Sequence, residues 1–373
     1  MQTINIGVIG WGFMGKTHTH VLREMPLFYP DAPFRPQLKS LCSRRLEMAR
    51  QGAEDGGFET FTDDYRQLLQ DKTIDAVSIC TPNDLHEEMA IEALRAGKHV
   101  YLDKPVAVTY ESARRIADAA KKAGVVTHVA LNNRFWPSTQ RAKEIVEEGR
   151  LGEILSFSVR YLHSGSVDPA RPVGWKQLMQ GGVLLDLGSH ALDLAQWLCG
   201  TPKEVFCALR TLYPTRPTRD GGTETNLSDD QAIMLLRMQN GALGTVEASK
   251  IATGAEDELV FEICGTKGAL RWNLMDPNWL WFYDNTVPDA PYGGMKGYTR
   301  ISCVARFPAP AGSFLPSKNT IGWDRAHMHC YYTFLNNVAR GTQSSPSIED
   351  GTELQYLMEC CKQSSETSRW VMV

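Results

Sequence analysis

Residues 3–15 read TINIGVIGWGFMG, a short run rich in β-branched residues that ends directly in Gly10-Trp11-Gly12-Phe13-Met14-Gly15. A GxGxxG string alone says little, but one that closes a strand and opens a helix has a mechanical meaning. Its glycines permit a tight turn and bring backbone amides close to a pyrophosphate, which the positive end of the helix attracts. Gly10, Gly12, Phe13, Met14 and Gly15 are therefore the expected phosphate-side contacts of a dinucleotide.

Outward from this stretch, the strand-like runs PQLKSLC (36–42), IDAVSICT (74–81), HVYLD (99–103) and VVTHVA (125–130) follow one another. Helical stretches near 14–25, 44–53, 63–70, 84–96 and 109–122 separate them. That alternation is the signature of βαβ units and predicts a doubly wound Rossmann domain over 1–131. From about residue 151 the pattern becomes strands joined by turns. In AIMLLRMQNGALGTVEASKI, Asn240-Gly241 separates two apolar runs, and LVFEICGTKGALRWNL turns between Gly265 and Gly268, so both read as hairpins. Residues 132–373 are expected to form a second, α+β domain with a large, mainly antiparallel open sheet. Helices are expected at 187–200, 323–340 and 349–366, and long loops at 214–226 and 284–322.

The 373 residues suffice for two cores, and 43% hydrophobic with 22% charged residues describes a globular protein. A formal net charge of −4 offers no electrostatic reason for a nucleic-acid or membrane partner. The N-terminus lacks the charged lead and apolar core of a signal peptide, so a cytoplasmic protein is expected. Its nine cysteines include no CxxC pair and read as reduced thiols.

The second strand is followed by Ser43-Arg44-Arg45, where an NAD-binding domain places an acid for the ribose hydroxyls. A hydroxyl beside a guanidinium suits a 2′-phosphate, which favours NADP, with NAD the alternative. Two further segments leave the carboxyl ends of strands, where such sheets bind ligands: Thr81-Pro82-Asn83 with His86, and Asp103-Lys104-Pro105. In GGVLLDLGSHALDLAQWL (181–198), Asp186, His190 and Asp193 share one helical face, opposite an apolar edge of Leu187, Ala191, Leu194 and Leu198.

In order and spacing, IGVIGWGFMG, CTPNDLHEEMAIEALRAGKHVYLDKP and GGVLLDLGSHALDLAQWLCG resemble the Gfo/Idh/MocA family of oxidoreductases, over essentially the whole chain. Within it the likeness leans toward sugar and glycoside dehydrogenases. The resemblance implies that Lys104 is the lysine of the family's Glu-Lys-Pro motif, with Asp103 replacing the glutamate. It implies that Asp186 and His190 are the family's Asp-x-x-x-His pair, with Asp193 following. Thr81, Pro82, Asn83 and His86 match the nicotinamide-side segment, while Asn132, Arg134, Trp175 and Lys176 match segments lining the active site.

The cofactor side is thus expected to include Ser43, Arg44, Asp103, Lys104, Asn132 and Trp175 besides these two segments. The substrate side would comprise Lys104, Arg134, His163, Lys176, Asp186, His190 and His327, with Asp324 a further candidate. His190 would serve as base, Asp186 would orient it or bind a substrate hydroxyl, and Lys104 would stabilise alkoxide character.

The implied activity is NAD(P)-dependent hydride transfer at a secondary alcohol of a sugar, glycoside or cyclitol, by a homodimer or homotetramer. A glycoside-cleaving enzyme with a tightly held dinucleotide needs the same residues. A ligand-binding regulator would need none of them. A metal held by Asp186, His190 and Asp193 is disfavoured, because Lys104 already supplies a cation, so no metal is expected.

Overall fold

The computed structural model describes residues 1–174, 181–304, 309–312 and 318–373. Six strands form the first sheet: β1 (Gln2–Ile9), β2 (Phe34–Cys42), β3 (Thr60–Thr62), β4 (Ala76–Ile79), β5 (His99–Leu102) and β6 (Thr127–Val129). Each pairs in parallel with its neighbour, in the order β3-β2-β1-β4-β5-β6. Parallel strands covered on both faces are apolar along their length, and every residue of β4 is buried. The order reverses between β1 and β4, the switch point at which such sheets bind ligands.

Helices α1 (Phe13–Phe28), α2 (Leu46–Gly56), α3 (Tyr65–Gln70), α4 (His86–Arg95) and α5 (Tyr110–Ala123) connect these strands. Residues 26–36, between the first helix and the second strand, are mostly regular structure. Pro26–Phe28 finish α1, Phe34–Pro36 begin β2, and Tyr29 and Phe34 are buried.

The second part begins with α6 (Pro137–Glu147), β7 (Ile154–Leu162) and α7 (Ser189–Cys199). Strands β8 (Pro202–Arg210), β9 (Thr215–Pro217), β10 (Thr223–Thr225), β11 (Gln231–Met238), β12 (Leu243–Ser249) and β13 (Glu258–Gly265) follow. Next come β14 (Gly268–Asn273), β15 (Trp279–Asp284), β16 (Tyr298–Ser302), helices α8 (Asp324–Arg340) and α9 (Ile348–Thr367), and β17 (Val371–Met372). Nine of these strands form one sheet, ordered β16-β15-β14-β13-β7-β12-β11-β8-β17, antiparallel except where β7 runs parallel to β12. Both expected hairpins, β11–β12 and β13–β14, are present. Along β11, buried Ala232, Met234 and Leu236 alternate with exposed Ile233, Leu235 and Arg237, so one face is covered. Helix α7 packs on β7 and β12. The expected loops are partly ordered, since 214–226 folds into the β9–β10 hairpin and 284–322 contains β16.

Packing divides the chain into residues 1–135 with 322–355, and 136–321 with 356–373. The sequence reading placed both C-terminal helices in a second domain starting at 132, whereas α8 belongs to the first unit. The reason is its apolar stripe. Met328, Tyr331, Phe334 and Leu335 join Ile4, Ile6 and Tyr101 in one core, and Tyr331 stacks on Tyr101 with ring centroids 4.0 Å apart.

Candidate active site

At the switch point the three motif glycines do different work. Gly10 has φ of +108°, and a Cβ there would lie 2.6 Å from the Cys80 carbonyl oxygen. A Cβ on Gly15 would meet the Gly10 carbonyl oxygen at 2.0 Å, so this glycine lets α1 start tight against the turn. A Cβ on Gly12 would meet nothing within 4 Å. Gly12 is also the residue before the first turn of α1, which has no side-chain cap and no acid. Uncapped amides beside open space fit a pyrophosphate. Across the switch point Thr81 Oγ1 is buried without a hydrogen-bond partner among the described residues. The residues present thus suit a dinucleotide.

Other members of the first unit divide into exposed and internal groups. Phe13 is exposed and lies against Trp323. Ser43 is buried and held by its N–H to the Thr62 carbonyl at 3.2 Å, while Arg44 is exposed. Met14, Thr81 and Pro82 are partly exposed, whereas Asn83 and Asn132 are buried. His86, expected at the cofactor, faces inward instead. Its ring nitrogens lie 3.0 Å and 3.1 Å from the carbonyl oxygens of Pro105 and Thr81, and burial holds its pKa below the usual histidine value. It ties two strand-end loops together from below. Asp103 is buried, and its Oδ1 accepts the Lys104 N–H at 2.8 Å, which fixes the turn from which Lys104 projects. Arg134 lies within a short 3₁₀ turn, Asn132–Phe135.

The two α8 candidates are placed differently. Asp324 stands at the surface 3.4 Å from His20. His327 is buried against Trp323 and His18, and neither ring nitrogen has a hydrogen-bond partner among the described residues. Burial, then the charges of His18 and Lys104, keep its pKa well below the ordinary value.

The second unit gathers its polar groups around α7. The helix is entered through a π-helical turn, Leu184–Gly188, which carries Asp186. Widened turns of this kind are uncommon and need outside support. Asp229 supplies it, its Oδ2 accepting the Leu184 N–H at 2.7 Å. Gly182 makes room, since a Cβ there would lie 2.0 Å from Asp229 Oδ1. Burial raises the Asp229 pKa, with the Leu184 N–H opposing it.

Leu187, Ala191, Leu194 and Leu198 are buried as expected, but the polar edge is not a surface: His190 and Asp193 are buried too. Asp186 lies 3.0 Å from Lys250 Nζ. His190 meets the Tyr161 ring edge-on, with centroids 5.9 Å apart. The Tyr161 hydroxyl donates to Asp257 Oδ1 at 2.8 Å, and His163 Nε2 donates to the same oxygen at 2.7 Å. Burial first, then Asp257 and Asp186, push the Tyr161 pKa well above 10, so it stays a donor. Trp175 and Lys176 lie outside the described residues.

Lys250, Tyr161, Asp257 and Asp229 were not singled out from the sequence. The available signal was positional, because Asp229 lies two residues before strand β11 and Lys250 immediately follows β12. Among the described residues no group of three or more His, Cys, Asp and Glu side chains is disposed to hold a metal ion, and no helix is long and apolar enough to cross a membrane.

Comparison with known proteins agrees with this geometry. Residues 4–131 match the family model described as "Oxidoreductase family, NAD-binding Rossmann fold", and residues 139–271 match the "GFO/IDH/MocA C-terminal domain". Levoglucosan dehydrogenase of Pseudarthrobacter phenanthrenivorans is 33% identical across 100% of this chain and 99% of its own. D-glucoside 3-dehydrogenase of Escherichia coli K12 is 39% identical across 89% of this chain and 88% of its own. The solved complex of levoglucosan dehydrogenase with NADH and levoglucosan is similar at a TM-score of 0.95 and 34% identity, covering 100% of both chains. A glycine turn built for a dinucleotide, a nine-stranded second sheet and likeness along the full length together make this chain a member of the Gfo/Idh/MocA family of NAD-binding oxidoreductases.

Proposed function

We propose that this enzyme moves a hydride between a secondary alcohol of a sugar or glycoside and a nicotinamide dinucleotide, with NADP preferred over NAD. The observation that carries the reading is His190, a buried imidazole one turn beyond Asp186 and beside Tyr161. Imidazole is the side chain whose intrinsic basicity suits taking a hydroxyl proton near neutral pH. The nicotinamide, when bound, supplies the hydride acceptor.

The remaining chemistry belongs to the chain. His190 Nε2 takes the proton from the substrate hydroxyl, Asp186 orients the imidazole or a neighbouring substrate hydroxyl, and Lys104 offers positive charge to the developing alkoxide. Gly10, Gly12 and Gly15 hold the pyrophosphate, and Ser43 with Arg44 receives the 2′-phosphate. A polyhydroxylated ring suits the second unit's array of Asp186, His163 and Asp257, which offers donors and acceptors in a partly buried setting. The names of two relatives, a levoglucosan dehydrogenase and a D-glucoside 3-dehydrogenase, support that substrate class. The protein works as a homodimer or homotetramer joined through the uncovered face of the nine-stranded sheet.

The test is a panel of levoglucosan, D-glucosides and myo-inositol with each cofactor, followed at the nicotinamide absorbance. Reduced cofactor should appear in solution. With the best substrate, His190→Ala should lose about 10²–10⁴ in kcat while cofactor affinity holds. A cleaved glycoside with no released reduced cofactor would overturn the reading.

A further inference from the structure

Lys250 is the first residue after β12, and both of its backbone hydrogen-bonding groups are pinned. Its N–H donates to the Asp230 carbonyl at 2.9 Å, and its carbonyl accepts the Ser166 N–H at 2.8 Å. The ammonium therefore rises from a fixed strand end. It sits 3.0 Å from Asp186 Oδ2, with the two side chains only 13% and 16% exposed. The same corner supplies Asp229, which precedes β11 and receives the first N–H of the π-helical turn carrying Asp186. Two adjacent strand ends thus hold one turn: the Asp229 carboxylate grips the turn's backbone at Leu184, and the Lys250 ammonium grips its Asp186 side chain.

We propose that Lys250 is a positioning residue for the reaction, keeping Asp186 ionised and in one orientation on the segment that leads into His190. The proposal rests on the reading of Asp186 and His190 as reacting-side groups. A carboxylate this far out of water, left alone, gains from taking up a proton or turning toward another partner. An ammonium at hydrogen-bond distance favours the charged form, and committing Oδ2 fixes the plane in which the carboxylate lies. Asp186 can then act as an acceptor toward an imidazole N–H or a substrate hydroxyl.

The experiment compares Lys250→Met, Lys250→Arg, Asp186→Asn and the double variant Lys250→Met/Asp186→Asn in the full-length enzyme. It measures kcat, KM, cofactor dissociation constant and melting temperature, using the best substrate of the panel. Lys250→Met should lower kcat about 10–100-fold with cofactor affinity unchanged, and Lys250→Arg should recover to within about fivefold of wild type. Because Lys250 works through Asp186, the double variant should be no slower than Asp186→Asn alone.

A slow Asp186→Asn beside a Lys250→Met of wild-type kcat overturns the proposal. So do losses that multiply in the double variant, which would mean that Lys250 acts on substrate itself. Asp186→Asn with wild-type kcat defeats the underlying reading of the site, and the proposal with it. The double variant leaves neither charge unpaired, so its comparison with Asp186→Asn decides the matter even if Lys250→Met does not fold.

Discussion

Ser43 and Arg44 follow β2 directly, where an NAD-binding fold of this type carries an acid for the ribose hydroxyls. Ser43 is fixed by its backbone and Arg44 is exposed, so the guanidinium can reach a 2′-phosphate without first giving up an internal partner. A charge-assisted hydrogen bond contributes about 1.5–3 kcal/mol, so Arg44→Ala should weaken NADP binding roughly 10–100-fold and leave NAD almost untouched. Titration calorimetry with both cofactors checks this, and equal wild-type affinities would refute the preference. His86 shows the opposite outcome for a motif residue. Its position matches the nicotinamide-side segment, yet both nitrogens face backbone carbonyls, because α4 starts there and turns the ring inward. Spacing identifies where a side chain attaches, and the backbone path decides which way it faces.

At the scale of an element, the turn into α1 makes two alanine substitutions diverge. Gly12 has φ of −83°, which any residue adopts, and open space where a Cβ would go. Gly12→Ala should therefore fold with an unchanged melting temperature but bind either cofactor at least about tenfold more weakly, by filling the pyrophosphate's place. Gly15→Ala should destabilise the protein itself, since its Cβ would press on the Gly10 carbonyl at 2.0 Å. Thermal melts with and without cofactor separate the two, and a Gly12→Ala enzyme with normal affinity would show that the turn does not hold the dinucleotide. Helix α7 was legible as a helix with one apolar edge. That its polar edge is also buried was not, because β7 and β12 cover it from residues distant in the chain.

The whole molecule carries two further expectations. The first unit buries His18, His128 and His329, and burial lowers their pKa values to about 4, about 3 and about 4. In the unfolded chain these imidazoles protonate near pH 6.5, so below that pH the unfolded state binds more protons than the folded one. The stability they contribute is complete above pH 6.5 and is lost as the pH falls toward about 4, at up to a few kcal/mol each. Calorimetry should show a melting temperature that is flat around neutral pH and falls steeply on acidification; a constant value down to about pH 4 would contradict this.

The second expectation concerns assembly. The uncovered sheet face exposes Ile233 and Leu235 on β11 and Leu243 on β12, apolar area that a second copy would remove from water. Light scattering should give two or four times the chain mass of 41.6 kDa, and a single-chain mass at micromolar concentration would rule the interface out.

Features whose causes are local can be read from the amino-acid order alone. A strand running into GxGxxG, alternating strands and helices up to residue 131, and glycine-bearing turns between apolar runs each follow from neighbours a few residues apart, and the parallel and antiparallel halves follow from them. It also placed Lys104, Asp186 and His190 on the segments that the family motifs mark. Only the tertiary structure decided that α8 completes the first core, that Asp229 supports the turn before α7, that Lys250 pairs with Asp186, and that Tyr161 and His163 share Asp257. Each of these joins residues far apart in the chain. Such contacts depend on strand register and on which face of a helix is covered, and no spacing within a single segment encodes either.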